Sequence, residues 1–165
     1  VFPPPPPPPG PVIVSAFFRE HYLAGRVQGF TSHLGATVGG RGAAFMLGVI
    51  PSEGMFSIGF EAPRFGGTAL SRSADSVVAL HGPSFDLQLM SDFSENMAAT
   101  IGASVLGLSY SSCKVVKGSA FFVQARLPYI DLWLPMVING ETFDETHASP
   151  YVGVGAGIEA GFAFY

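Results

Sequence analysis

The sequence predicts an all-β protein, an antiparallel sandwich or barrel of about eight to ten strands. Three observations carry this. Apolar residues recur at every second position over long stretches, as on a strand with one buried face. No segment shows the 3.6-residue apolar period of an amphipathic helix. Beyond the N-terminal prolines, Pro51, Pro63 and Gly82-Pro83 close apolar runs at intervals typical of strands.

The elements follow in order. Pro3 to Pro9 is an unbroken run of prolines that favours polyproline II, an extended rod with no internal hydrogen bonds. Residues 1–11 are therefore read as an arm expected to lie against a protein surface, its own or a neighbour's, and residues 12–165 as one β domain. Val12 to Phe18 reads as a short strand. The six glycines between Gly25 and Gly42 argue against a helix there. Ala43 to Ile50 is an apolar run closed by Pro51. In Met55 to Ala62, Phe56, Ile58, Phe60 and Ala62 alternate with Ser57, Gly59 and Glu61 until Pro63. Ser76 to Leu80 is a short strand, and Gly82-Pro83 signals a turn. Phe85, Leu87 and Leu89 then alternate with Asp86, Gln88 and Met90.

The last third is more regular. Ala99, Ile101, Ala103 and Val105 share one face; the phase then slips to Leu106, Leu108 and Tyr110, as at a bulge. Phe121, Val123, Ala125, Leu127 and Tyr129 alternate with Phe122, Gln124 and Arg126, and Pro128 implies an edge or a second bulge. From Val152 to Phe164 the period of two is unbroken: Val152, Val154, Ala156, Ile158, Ala160, Phe162 and Phe164 face one way, and Gly153, Gly155, Gly157, Glu159, Gly161 and Ala163 the other. Arg126 and Glu159 are predicted to share one inward face.

Composition narrows the function. Charged residues are 12% of the chain and hydrophobic ones 48%, half the usual charge of a soluble domain, which excludes disorder of the whole chain. A net charge of −4 without a Lys/Arg cluster argues against a nucleic-acid partner. The most apolar run, Met97 to Tyr110, is too short for a membrane helix and is broken by Gly102, Ser104, Gly107 and Ser109. Val1 in place of an initiator Met suggests a processed mature chain. The single cysteine, Cys113, cannot form an intrachain disulfide and reads as a small packed residue.

Chemical motifs are sparse. Glu141, Asp144 and Glu145, with His147, are a weak candidate for a Ca²⁺ loop but lack the regular spacing of one. Asp92, Glu95 and Asn96 are weaker still. His21, His33, His81 and His147 fall in no zinc motif. His81, Ser84 and Asp86 are close in sequence, yet Gly82-Pro-Ser-Phe-Asp86 is no nucleophile elbow. The string Gly155-Ala-Gly-Ile-Glu-Ala160 lies in a strand pattern, with no helix or following strand to complete a dinucleotide fold. No cofactor, metal or enzymatic activity is expected.

Edge strands need protection, and this chain has two lysines, Lys114 and Lys117. Its last strand is long, glycine-lined and nearly uncharged, so it must pair, by closure within the chain or by strand sharing between chains. The tail from Ser149 through Val152, Val154, Ile158, Phe162 and Phe164 to Tyr165 resembles strands of bacterial outer-membrane β-barrels, as does Phe121 to Tyr129 with Gln124 and Arg126 inward. That resemblance implies apolar residues towards lipid and small residues towards the lumen. Tyr165 falls out of phase with Phe162 and Phe164, and the segments before residue 83 read as shorter than the ~9–11 residues of a membrane strand.

Three functions compete. The first expectation is a secreted, self-assembling structural subunit of a cell-surface filament, pilus or sheath, whose partners are copies of itself. Pro3, Pro5, Pro7, Pro9, Val12, Val14, Val152, Val154, Ile158, Phe162 and Phe164 would form its assembly interface. The second is an outer-membrane barrel, a small porin or envelope anchor, with the membrane as partner. A capsid-like sandwich or secreted binding module is the third.

Overall fold

The computed structural model describes residues 2–4, 10–23, 30–40, 42–62, 67–93, 96–116, 119–137 and 150–164. Ten strands run β1 (Val12–Leu23), β2 (Phe30–Gly39), β3 (Ala44–Ile50), β4 (Met55–Ala62), β5 (Gly67–Arg72), β6 (Ser76–His81), β7 (Ser84–Ser91), β8 (Met97–Val116), β9 (Ser119–Val137) and β10 (Tyr151–Phe164). All pairings are antiparallel. The ring β1-β2-β3-β4-β7-β8-β9-β10 closes on itself, because β1 pairs with β10 and β9 with β8. The fold is thus a closed eight-stranded barrel. Its terminal strands protect each other's edges: Val12 faces Phe164 and Leu23 faces Gly153.

Register fixes the barrel's dimensions. From Ile13 the ladder leads through Gly39, Ala44, Glu61, Asp86, Gly102, Asp131 and Gly153 to Leu23, a stagger of ten residues per circuit. Eight strands with that stagger tilt by about 40° and put the backbone about 8 Å from the axis. Such a lumen is just wide enough for side chains to fill.

Gly82-Pro83 does not reverse the chain, as the sequence suggested. His81 faces Gly107 and Ser84 faces Ser104, so β6 and β7 run on along the same neighbour, β8, in one register. Pro83 lacks an N–H, and two ladder positions are lost without a change of direction. β4 and β5 likewise follow one line, against β7 and then β6. Segments that read as short in the sequence are halves of long strands.

Two strands carry no strand pattern in the sequence. β5 has all six residues exposed and so no burial contrast to generate alternation. In β2 the glycines obscure the pattern. A Cβ on Gly35 would lie 2.5 Å from Phe17 Cζ and 2.2 Å from the Leu47 carbonyl oxygen, so glycine there lets the Phe17 ring lie across the strand.

The ends of the barrel differ. One end carries the start of β1, the end of β10 and the β2–β3, β5–β6 and β8–β9 connections; here it is called the terminal end. The other, the loop end, carries the β1–β2, β3–β4, β7–β8 and β9–β10 connections. A turn of 3-10 helix at Pro51–Glu53 makes the β3–β4 link, with Gly54 at φ 62° closing it in a left-handed conformation open to glycine. β5, β6 and the turn-proximal ends of β8 and β9 extend past the barrel at the terminal end.

The burial pattern is inverted relative to a water-soluble domain. Ser15, Arg19, Thr37, Ser57, Glu61, Asp86, Gln88, Gln124, Arg126 and Glu159 are all buried, whereas Val14, Val38, Leu47, Ile58, Phe60, Phe85, Leu87, Ile101, Leu108, Val154 and Ile158 are exposed. The exposed apolar side chains occur on every strand of the ring. Soluble proteins bury such residues and expose charge.

Candidate functional site

The lumen is where the polar side chains converge. Period-two geometry sends Ser15 and Arg19 of β1, Glu61 of β4, Asp86 and Gln88 of β7, Arg126 of β9 and Glu159 of β10 inward, while their apolar neighbours face out. Tyr129 joins them, against the alternation expected from sequence. On β9, Leu127 and Pro128 both face outward, and Gly155 to Gly157 of β10 spans Tyr129 to Arg126, so β9 carries one extra residue there. This bulge resets the phase, and Pro128, without an N–H, is suited to it. On β8, Val105 and Leu106 are both exposed, where the sequence showed a phase slip.

Two linked clusters result. In the first, Arg19 Nη1 donates to Asp86 Oδ2 at 3.2 Å and to the Tyr129 hydroxyl at 2.6 Å, and that hydroxyl donates to Asp86 Oδ2 at 2.6 Å. Gln88 Nε2 donates to Asp86 Oδ1 at 2.9 Å. The Arg19 guanidinium also lies over two rings, 4.7 Å from the Phe17 centroid and 4.4 Å from that of Tyr129, within cation–π range of both. In the second, Arg126 bridges two carboxylates: Nη1 pairs closely with Glu61, and Nη2 lies 3.3 Å from Glu159 Oε2. Ser84 Oγ accepts from Arg126 Nη1 at 3.1 Å, and Ser15 and Thr37 donate to Glu159 Oε1. Glu61 joins the clusters, with Arg19 Nη2 at 3.8 Å from its Oε2.

Glycines leave room for these long groups. A Cβ on Gly102 would meet the Tyr129 hydroxyl at 2.1 Å and Asp86 Oδ2 at 2.6 Å. A Cβ on Gly157 would meet Arg19 Cγ at 3.2 Å. Histidines occupy the flanks, His33 Nε2 2.9 Å from Ser57 Oγ and His81 Nε2 2.5 Å from Ser109 Oγ. His81 and Ser84 thus have different partners, Ser109 and Ser104 respectively.

Apolar layers close the network at both ends. At the loop end Ile50, Met55, Met90, Ala98 and Trp133 form one buried cluster. At the terminal end Ile13, Phe122 and Ala163 form another. Between these layers the charged groups contact each other. Arg19, Glu61, Asp86, Arg126 and Glu159 are each at most 5% exposed, so these groups are shielded from solvent. Their chemistry is that of mutual compensation, which ties β1, β4, β7, β9 and β10 together across the lumen.

The other sequence-derived candidates are spread over the surface or lie elsewhere. Val12, Val14, Val152, Val154, Ile158, Phe162 and Phe164 form part of the outer apolar face. Pro3 is exposed, and Pro5, Pro7 and Pro9 lie outside the described residues. Glu141, Asp144, Glu145 and His147 lie outside them too, and among the described residues no group of three metal-ligating side chains occurs. Asp92 accepts from the Asn96 backbone N–H at 3.1 Å and serves its own turn.

No family model, curated protein or solved structure matches this chain.

Proposed function

We propose that the chain is an integral β-barrel of a bacterial outer membrane and that it acts as a sealed, non-conducting envelope anchor. The observation that carries this reading is the inversion of burial around the complete ring: lumen-facing charge and outward-facing Val, Leu, Ile and Phe on the same strands. A lipid bilayer is the solvent in which that distribution is favourable, and a closed barrel leaves no backbone edge unpaired in it. The outward positions of β10 from Val152 to Phe164 cover about 30 Å along the axis at a 40° tilt, enough for an apolar band of ~25 Å. Of the two membrane roles suggested by the sequence, the filled lumen with an apolar layer at each end favours the anchor over the porin. The polymer reading drew on unpaired terminal edges, and the β1–β10 pairing supplies their partners within the chain.

The test is fractionation followed by electrophysiology. The protein should stay in the membrane pellet after an alkaline wash, migrate faster in unheated than in heated detergent gels, and give no conductance steps in planar bilayers. Release into the wash would contradict the membrane reading, and discrete conductance steps the sealed one.

A further inference from the structure

Among the described residues, β5 is paired along one edge alone, with β6. The cause is a mismatch of strand lengths. β3 begins at Ala44, opposite Glu61, so the flank that it covers on β4 is uncovered on β5. Half of the N–H and C=O groups of Gly67–Arg72 therefore point away from β6 with no strand to receive them. All six residues are exposed. At the head of β3, where the vacant slot begins, Gly42 is exposed, and a Cβ added there would meet nothing within 4 Å. β5 has neither Lys nor Pro to protect its edge. A bulge at Leu70 twists the strand without closing that edge. The single charge of β5, Arg72, is exposed and has no ion-pair partner among the described residues.

Resting on the bilayer reading and naming what the anchor holds, we infer that β5 is a docking edge for an extended, proline-free segment of another polypeptide. The segment adds antiparallel to Gly67–Arg72, in line with β3, and carries an acidic residue opposite Arg72. Other occupants fail on chemistry or geometry. An acyl chain offers no hydrogen bonds, and an open strand edge does not occur in hydrocarbon, so β5 stands beyond it. Pro3 to Pro9 of this chain lack the N–H that a ladder requires. Two copies meeting through β5 would be related by a two-fold axis normal to the sheet or along the strand. With strands tilted ~40°, the first axis inverts the second barrel and the other tips it by ~80°, so two barrels upright in one bilayer cannot share this edge. A free segment has no such constraint. Its backbone supplies donors and acceptors over about 20 Å, and its acid supplies a partner for Arg72.

A peptide titration tests this. The full chain is isotopically labelled and refolded in lipid bicelles, and its backbone amides are followed by NMR. The probe is the end-blocked hexapeptide Glu-Thr-Val-Thr-Val-Thr, which in the antiparallel sense places its Glu opposite Arg72. Millimolar peptide should shift the amides of Gly67–Arg72 and give cross-relaxation contacts to them, while β1 and β10 stay unmoved. Arg72→Gln should weaken binding about two- to fivefold. The same peptide N-methylated throughout, which leaves the protein intact and removes the donors, should not bind. No shift on β5, shifts only elsewhere, or equal binding of the N-methylated peptide overturns the inference while the barrel remains in its bicelle. Recovery of the protein free of lipid overturns the bilayer reading, and with it the exclusion of a second copy on which this inference rests.

Discussion

Arg126 and Tyr129 lie three residues apart on β9 and both enter the lumen, because Leu127 and Pro128 between them both face outward. Strict alternation would place them on opposite sides of the wall. The bulge thus lets one strand supply a cation to Glu61 and Glu159 and a hydroxyl to Asp86 and Arg19. Deleting Pro128 should restore alternation and force one of the two side chains onto the outer face. The fraction of protein giving the fast-migrating folded band should then fall severalfold; an undiminished folded fraction would contradict this role of the bulge.

Arg126 is the cation shared by two buried carboxylates, so its removal withdraws a counter-charge from both. Arg126→Ala should cost ~3–5 kcal/mol in denaturant unfolding from detergent micelles. Adding Glu61→Gln and Glu159→Gln to it should return a large part of that loss, since neutral amides no longer need a counter-charge. A triple variant less stable than Arg126→Ala alone would show that the carboxylates do not depend on Arg126.

Gly102 tests the packing of the first cluster. Gly102→Ala drives a methyl group into the Tyr129 hydroxyl and Asp86, and should cost ~1–3 kcal/mol. In a double-mutant cycle with Tyr129→Phe the two losses should be less than additive, because both disturb one hydroxyl. Full additivity would place the strain elsewhere.

The outer face can be probed by position. Leu87 is mid-strand on β7 and 54% exposed, whereas Leu70 is 58% exposed on β5 beyond the ring. In a bilayer, Leu87→Arg should destabilise by ~2–4 kcal/mol and Leu70→Arg by well under half of that. Equal effects in refolding titrations would mean that the two leucines share one solvent.

The sequence and the structure agree most closely where burial contrast is strong. β10 alternates without a break from Val152 to Phe164, and Glu159 interrupts its small-residue face at the point where Arg126 reaches it. The slip at Val105–Leu106 and the irregularity at Pro128 were visible as local breaks in phase, but not their consequence for Tyr129, which depends on an extra residue relative to β10. Arg19, Glu61 and Asp86 gave no sequence signal as a set. They come from three strands far apart in the chain, and the register that brings them together is a property of the closed ring. The Gly82-Pro83 dipeptide carried the chemistry of a turn while the neighbouring β8 held the chain in line. The direction of the apolar face, towards solvent or core, cannot be read from periodicity, because alternation is the same in both cases.

The most direct measurement is lipid quenching at outward positions around the ring. In a Trp133→Phe background, single tryptophans at Ile58→Trp, Leu87→Trp and Leu108→Trp sample β4, β7 and β8. In vesicles of lipids brominated at mid-chain, all three should be strongly quenched and shielded from aqueous acrylamide. Efficient acrylamide quenching with no effect of bromine would contradict a membrane-embedded barrel.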